Sequence, residues 1–177
     1  MSKDQLIEQF IAVAQKVDTT VDVIPKSAAE LEKTLLKATA QEGDIVLAEP
    51  DDLDQKLFGS FRKSRRVLNN PDDSEIAEAK YGISDCFAAI ARTGSVCVSM
   101  TDKMGGSYSL YPRIHIAIVD ADTIVARPRD IFRQASLREK ALSRDFVFIS
   151  GSSATADMGP LVRGVHGPGK LHVIILK

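Results

Sequence analysis

Ile45-Val46-Leu47-Ala48 is apolar at every position, so neither side of this short run belongs in water, and it reads as a strand buried on both faces. Strands of that kind sit in sheets covered by helices on either side, and the residues before it agree. Ser27 followed by Glu30 is a capping box, after which Leu31, Leu35 and Ala38 fall on one face of a helix that Gly43 ends. Earlier still, residues 21–24 form a strand candidate stopped by Pro25. Leu6, Phe10, Val13 or Ala14, and Val17 recur at helical spacing.

Downstream, Leu53, Leu57, Phe58 and Phe61 predict a short helix, followed by the basic run Arg62-Lys63-Ser64-Arg65-Arg66. In a chain whose charges balance, that run reads as a solvated face rather than an anion or nucleic-acid patch. Asn69-Asn70-Pro71-Asp72 is a turn, and Asp72 or Asp73 caps a helix running to about Lys80. The second half is rich in strands, at 87–91, 94–100, 114–119, 146–150 and 171–176, with Thr93-Gly94 turning the first two into a hairpin. Residues 102–107, which hold Gly105-Gly106, read as a flexible loop. A helix over 128–141 opens on a proline. Alternation early and hairpins late predict an α/β fold, a mixed sheet with helices on both faces. The expected organisation is one domain over 1–177, with 1–20 as an N-terminal helical extension.

Bulk chemistry narrows the function classes. With 23 basic and 24 acidic residues the 177-residue chain carries a formal charge of −1, and it has no tryptophan. Neither a field for nucleic acid nor a base-stacking surface is in evidence. Cys86 and Cys97 are the two cysteines, too few to hold a zinc ion or an iron–sulfur cluster, so no cofactor is expected in this chain. No run approaches the ~18 apolar residues of a membrane span. The opening Met1-Ser2-Lys3-Asp4-Gln5 is unlike a signal peptide, which makes the cytoplasm the expected compartment. The dinucleotide, phosphate-loop and hydrolase-elbow motifs are missing.

Three segments break the core pattern in ways that packing does not require: Ala91-Arg92-Thr93-Gly94-Ser95, then Ser150-Gly151-Ser152-Ser153-Ala154-Thr155-Ala156-Asp157, then Arg163-Gly164-Val165-His166-Gly167-Pro168. Small and hydroxylated residues after a parallel strand turn backbone amides outward to receive an anion. The expected ligand-binding set is therefore Arg92, Thr93, Gly94, Ser95, Gly151, Ser152, Ser153, Thr155, Gly164 and Gly167. His166, between two glycines, approaches a ligand closely and titrates usefully near neutral pH. Asp157 either caps a helix over 158–162 or orients His166 and accepts a substrate hydroxyl; with His166 it is the candidate catalytic residue. His115 and His172 alternate within apolar strands and read as satisfied core histidines. No acidic partners accompany the histidines in a metal-binding pattern.

These segments resemble the lactate-utilisation (LUD) domain family. Gly82-Ile83-Ser84 through Ala89-Ile90-Ala91-Arg92-Thr93-Gly94-Ser95 is similar to its "GIT…AIAETGT" stretch, and Pro112-Arg113-Ile114-His115-Ile116 to its "PxxHI" strand. Ser150 to Met158 is similar to "SGPSRTADI", and Gly164-Val165-His166-Gly167-Pro168 matches "GVHGP". The resemblance implies a fold like that of ribose-phosphate isomerases and CoA transferases. It also implies kinship with the small C subunit of a system that oxidises L-lactate to pyruvate, whose other two subunits carry iron–sulfur centres. Departures from the pattern are Arg92 for an acidic residue, Ala154 for an arginine and Ser152 for a proline.

The first expectation is an accessory, non-redox subunit that binds a small 2-hydroxy or 2-oxo acid, or a partner subunit, with Arg92, Ser153 and Thr155 on the carboxylate and His166 near the hydroxyl. The alternative is a free-standing isomerase- or transferase-like enzyme acting on a phosphorylated or thioester substrate, with Asp157 or His166 as its base. The third is a purely structural assembly subunit.

Overall fold

The computed structural model describes residues 1–40, 42–157 and 159–177. Helix α1 (Lys3–Gln15) begins on a capping box between Ser2 and Gln5. Strand β1 (Thr19–Ile24), helix α2 (Ala28–Ala38) and strand β2 (Ile45–Leu47) follow, then two 3-10 turns at Gln55–Phe58 and Phe61–Lys63 and helix α3 (Asp73–Glu78). Next come β3 (Tyr81–Cys86), β4 (Ala88–Ile90), β5 (Ser95–Ser99), α4 (Gly105–Leu110), β6 (Ile114–Asp120) and β7 (Ile124–Val125). Helices α5 (Pro128–Ile131) and α6 (Ala135–Ser143) lead to β8 (Phe146–Ser150), β9 (Ala154–Thr155), β10 (Val162–Arg163) and β11 (Lys170–Leu176).

The α/β class holds, but the strands divide into separate sheets. Five lie in the order β1-β11-β6-β3-β2, each parallel to its neighbour. Their residues alternate between two cores. Ile116 and Ile118 of β6, with Ile174 and Leu176 of β11, pack against Leu31 and Leu35 of α2 and against Phe58 and Phe61. Ala117, Val119, Val173 and Ile175 face α1 and a second sheet. That sheet has the order β7-β4-β5-β8, with β4–β5 and β5–β8 antiparallel and β4–β7 parallel. Its far side seats Phe87, Ile90 and Cys97 against Ile131 and Leu137 of α5 and α6. Phe10 and Ala14 of α1 are fully buried, so the first helix is core. A two-stranded antiparallel ribbon, β9–β10, stands apart from both sheets. Among the described residues no helix is long and apolar enough to cross a membrane.

Several local expectations are corrected. The helix over 128–141 breaks at 132–134 into α5 and α6, and the supposed loop 102–107 contains the start of α4. Strand β10 takes part of the helix expected over 158–162; Met158 itself lies outside the described residues. Strand β3, which lies between β6 and β2 in the parallel sheet, escapes the apolar pattern because Gly82, Ser84 and Asp85 interrupt it. Each has a task. A Cβ at Gly82 would lie 1.8 Å from the Tyr108 carbonyl oxygen, so the glycine admits α4. Ser84 bonds His115 at 2.9 Å. The Asp85 carboxylate accepts the amides of Asp51, Asp52 and Leu53 at 3.2, 2.7 and 2.9 Å. Burial pushes this carboxyl above its ordinary range, against the pull of those three amides. In the basic run, Arg62 pairs with Glu49 at 2.7 Å, and Arg66 donates to the carbonyls of Thr39 and Gly43 beyond α2.

Candidate functional site

The serine-rich loop leaves β8, and the histidine loop enters β11. They are tied together: the Ser153 amide donates to the Pro168 carbonyl and the Gly164 amide to the Ser153 carbonyl, both at 2.9 Å. Between them opens a cleft of about 240 Å3 walled by 148–153, 166–168 and Leu171, with Ser109, Leu110 and His115 behind. The serine loop turns sharply at Gly151, where φ is +74° and a Cβ would come 2.5 Å from the Val17 carbonyl oxygen. Gly94 of the β4–β5 hairpin is at +63°, its virtual Cβ 2.8 Å from the Ala14 nitrogen. Only glycine tolerates both the conformation and the approach. The end of α1 thus supports two of the three segments.

Of the expected ligand-binding residues, Gly151, Ser152, Ser153 and Gly167 line the cleft together with His166. Arg92 and Thr93 are exposed and outside the lining. Their hairpin reaches the wall from behind through hydroxyls: Ser95 Oγ donates to Thr93 Oγ1 at 2.7 Å and meets Ser150 Oγ at 2.6 Å. Thr155 pairs with Val162 in the ribbon, and Gly164 lies at its base. Asp157 is exposed, its amide 3.4 Å from Thr155 Oγ1.

Two further expectations change. The serine loop follows an antiparallel strand of the second sheet, not a parallel one. The cleft also lies beside the amino ends of β6 and β11, where His115 and Leu171 are paired, rather than at the carboxyl ends where open α/β sheets usually hold ligands. His115 departs from the expected satisfied core residue. It is 1% exposed and bonded through Nε2 to Ser84, but Nδ1 has no partner among the described residues. Burial drives its pKa down to about 3, so the ring is neutral. His172 is elsewhere, its Nδ1 2.7 Å from Thr20 Oγ1.

No Asp, Glu, Lys or Arg is among the described residues lining the cleft. Arg163 approaches from the rim, donating to Ser152 Oγ at 2.9 Å and pairing with Asp18. The lining offers serine hydroxyls, the exposed imidazole of His166, the buried one of His115 and loop backbone; among the described residues the amides of Gly151, Ser152, His166 and Gly167 find no backbone acceptor. Such a lining suits hydrogen bonding to an oxygen-rich small molecule. It lacks a carboxylate nucleophile or base.

A family model described as LUD domain matches residues 7–176. The lactate utilization protein C of Shouchella clausii is 32% identical over 99% of this chain and 80% of its own length. The protein of the same name from Anoxybacillus flavithermus is 29% identical over 99% of this chain and 82% of its own. A crystal structure of a DUF162 family protein from Deinococcus radiodurans superposes with a TM-score of 0.74 at 24% identity, covering all of this chain and 99% of that one, a likeness of fold. With the match running nearly end to end through both loops of the cleft, this chain belongs to the LUD domain family.

Proposed function

We propose that this chain is an accessory, non-redox subunit in the use of L-lactate, and that its cleft binds a small 2-hydroxy or 2-oxo acid. The system-level part rests on similarity over 99% of this chain to proteins named lactate utilization protein C. The ligand part rests on one observation: two loops distant in sequence line a single cleft with serine hydroxyls, an imidazole and loop backbone whose amides at Gly151, Ser152, His166 and Gly167 have no backbone acceptor among the described residues. At about 240 Å3 it is below the roughly 300–1,000 Å3 of pockets for drug-sized ligands, which favours a small acid over a nucleotide or CoA thioester. The carboxylate falls to the Gly151 and Ser152 amides and the Ser152 and Ser153 hydroxyls, with His166 over the rest of the molecule; Arg92, outside the lining, is left out.

Redox chemistry would fall to iron–sulfur partner subunits and not to this chain. In support, Cys86 and Cys97 are both buried, and desolvation holds them as thiols, Cys97 with its pKa pushed up to about 12. Calorimetric titration tests the ligand. L-lactate or pyruvate should bind while the uncharged amide of lactate does not, and Ser153→Ala should weaken the acids about tenfold, the scale of one hydrogen bond to a charged group. Equal binding of the amide, or no binding of either acid, defeats the proposal.

A further inference from the structure

Among the described residues that line the cleft, His115 alone has a buried side-chain polar atom without a partner. It stands at the amino end of β6, between Leu171 of β11 and Gly82 of β3 in the sheet register. Its neighbour Leu171 shares both the register position and the cleft wall. Nε2 is occupied by the Ser84 hydroxyl at 2.9 Å. Nδ1 is shut off from bulk water and meets no partner among the described residues, a costly arrangement unless something in the cleft completes it.

The hydrogen-bond inventory decides which nitrogen carries the proton. Ser84 is 1% exposed, and among the described residues its hydroxyl meets no acceptor other than Nε2. If Nε2 held the hydrogen, both the Ser84 proton and the Nδ1 lone pair would be stranded. With Ser84 donating to a bare Nε2, only the Nδ1 hydrogen is left over. The second arrangement strands fewer groups, and one ring nitrogen's partner sets the tautomer of the other. Burial keeps the ring uncharged in either case.

We propose that His115 is a ligand-binding, specificity-determining residue: held by Ser84 as the Nδ1–H tautomer, it donates to the 2-oxygen of a small 2-oxo or 2-hydroxy acid whose carboxylate lies against the serine loop. This rests on the reading of the cleft as an acid site and adds what selects among acids. A donor built into the floor rewards a ligand that carries an acceptor oxygen beside its carboxylate and leaves one without it no better than the carboxylate alone.

Two measurements on the full chain test it. In 15N spectra of histidine-labelled protein, the buried ring should be the neutral Nδ1–H tautomer throughout pH 5–8; an Nε2–H or charged ring overturns the inference. In titrations, pyruvate should bind about tenfold more tightly than propionate, which lacks the 2-oxygen. In His115→Gln, which keeps a group near Ser84 but removes Nδ1, pyruvate should fall to the propionate level while propionate is unchanged. Equal affinities in the wild type, or a preference that survives His115→Gln, overturn the role of His115 and leave the acid site standing. Failure of every acid to bind removes the acid site itself and this role with it. Should His115→Gln not fold, the wild-type spectra and the pyruvate–propionate comparison still decide.

Discussion

His115 and Asp85 are two buried groups whose ionisation the fold opposes, and they pull the stability curve in opposite directions. His115 has its pKa lowered from 6.5 to about 3 by burial. Between those values the unfolded chain holds the proton and the folded chain does not. The stability this creates is complete above about pH 6.5 and is lost as the pH falls towards 3, at up to about 1.4 kcal/mol per pH unit. Asp85, raised by desolvation, behaves oppositely: its contribution is complete below 3.8 and lost as the pH rises through its elevated value. Urea denaturation of ligand-free protein between pH 4 and 7 should therefore show stability rising less with pH in His115→Gln than in the wild type, because only the opposing Asp85 slope is left of the two. Parallel curves would mean that the imidazole is not kept neutral. At this scale the sequence is a partial guide. His166 and the serines stand out because glycines and hydroxyls interrupt an apolar pattern. His115 does not, since a histidine inside a strand looks the same whether its second nitrogen is satisfied or waiting.

Helix α4 shows how one glycine sets an element in place. It has only six residues, begins on Gly105-Gly106 with no side-chain cap, and lies against Gly82 closely enough that any Cβ there meets the Tyr108 carbonyl. Gly82→Ala must push the helix outward and with it Ser109 and Leu110, which back the cleft. The expected cost is about 3 kcal/mol, the upper end for overpacking, accompanied by loss of acid binding; chemical denaturation and titration check both. A stability within ~0.5 kcal/mol of the wild type would show that the helix is not fixed there. The elements legible in advance are those marked by runs of apolar side chains, such as β2, β6, β8 and β11. Strand β3 was hidden because its Gly, Ser and Asp answer to distant partners, α4, His115 and the turn at 51–53. Helix α4 was hidden because two glycines lower helix propensity, and tertiary contact rather than local preference holds it.

Taken whole, the molecule is knit by a core that includes residues of both sheets, among them Cys86, Val96, Val98, Val119 and Val173. The ion pairs of Asp52 with Lys140 at 2.8 Å and Arg144 at 3.2 Å tie α6 and the residue after it to the loop beyond β2. Such sharing predicts a single cooperative unit. Cys86 and Cys97 report on it from different cores. Alkylation of both should proceed at one common rate, at least about a thousandfold below that of free cysteine, because reaction waits for global opening. Faster labelling of Cys97 alone would reveal a second sheet that opens independently. The propping of Gly94 and Gly151 on the end of α1 gives the crevice a remote hinge-post. Detachment of the first helix would slacken the rim before any wall residue changed. Side-chain size around Ala14 and Val17 is accordingly a dial for what fits inside, set from the outside of the binding chemistry.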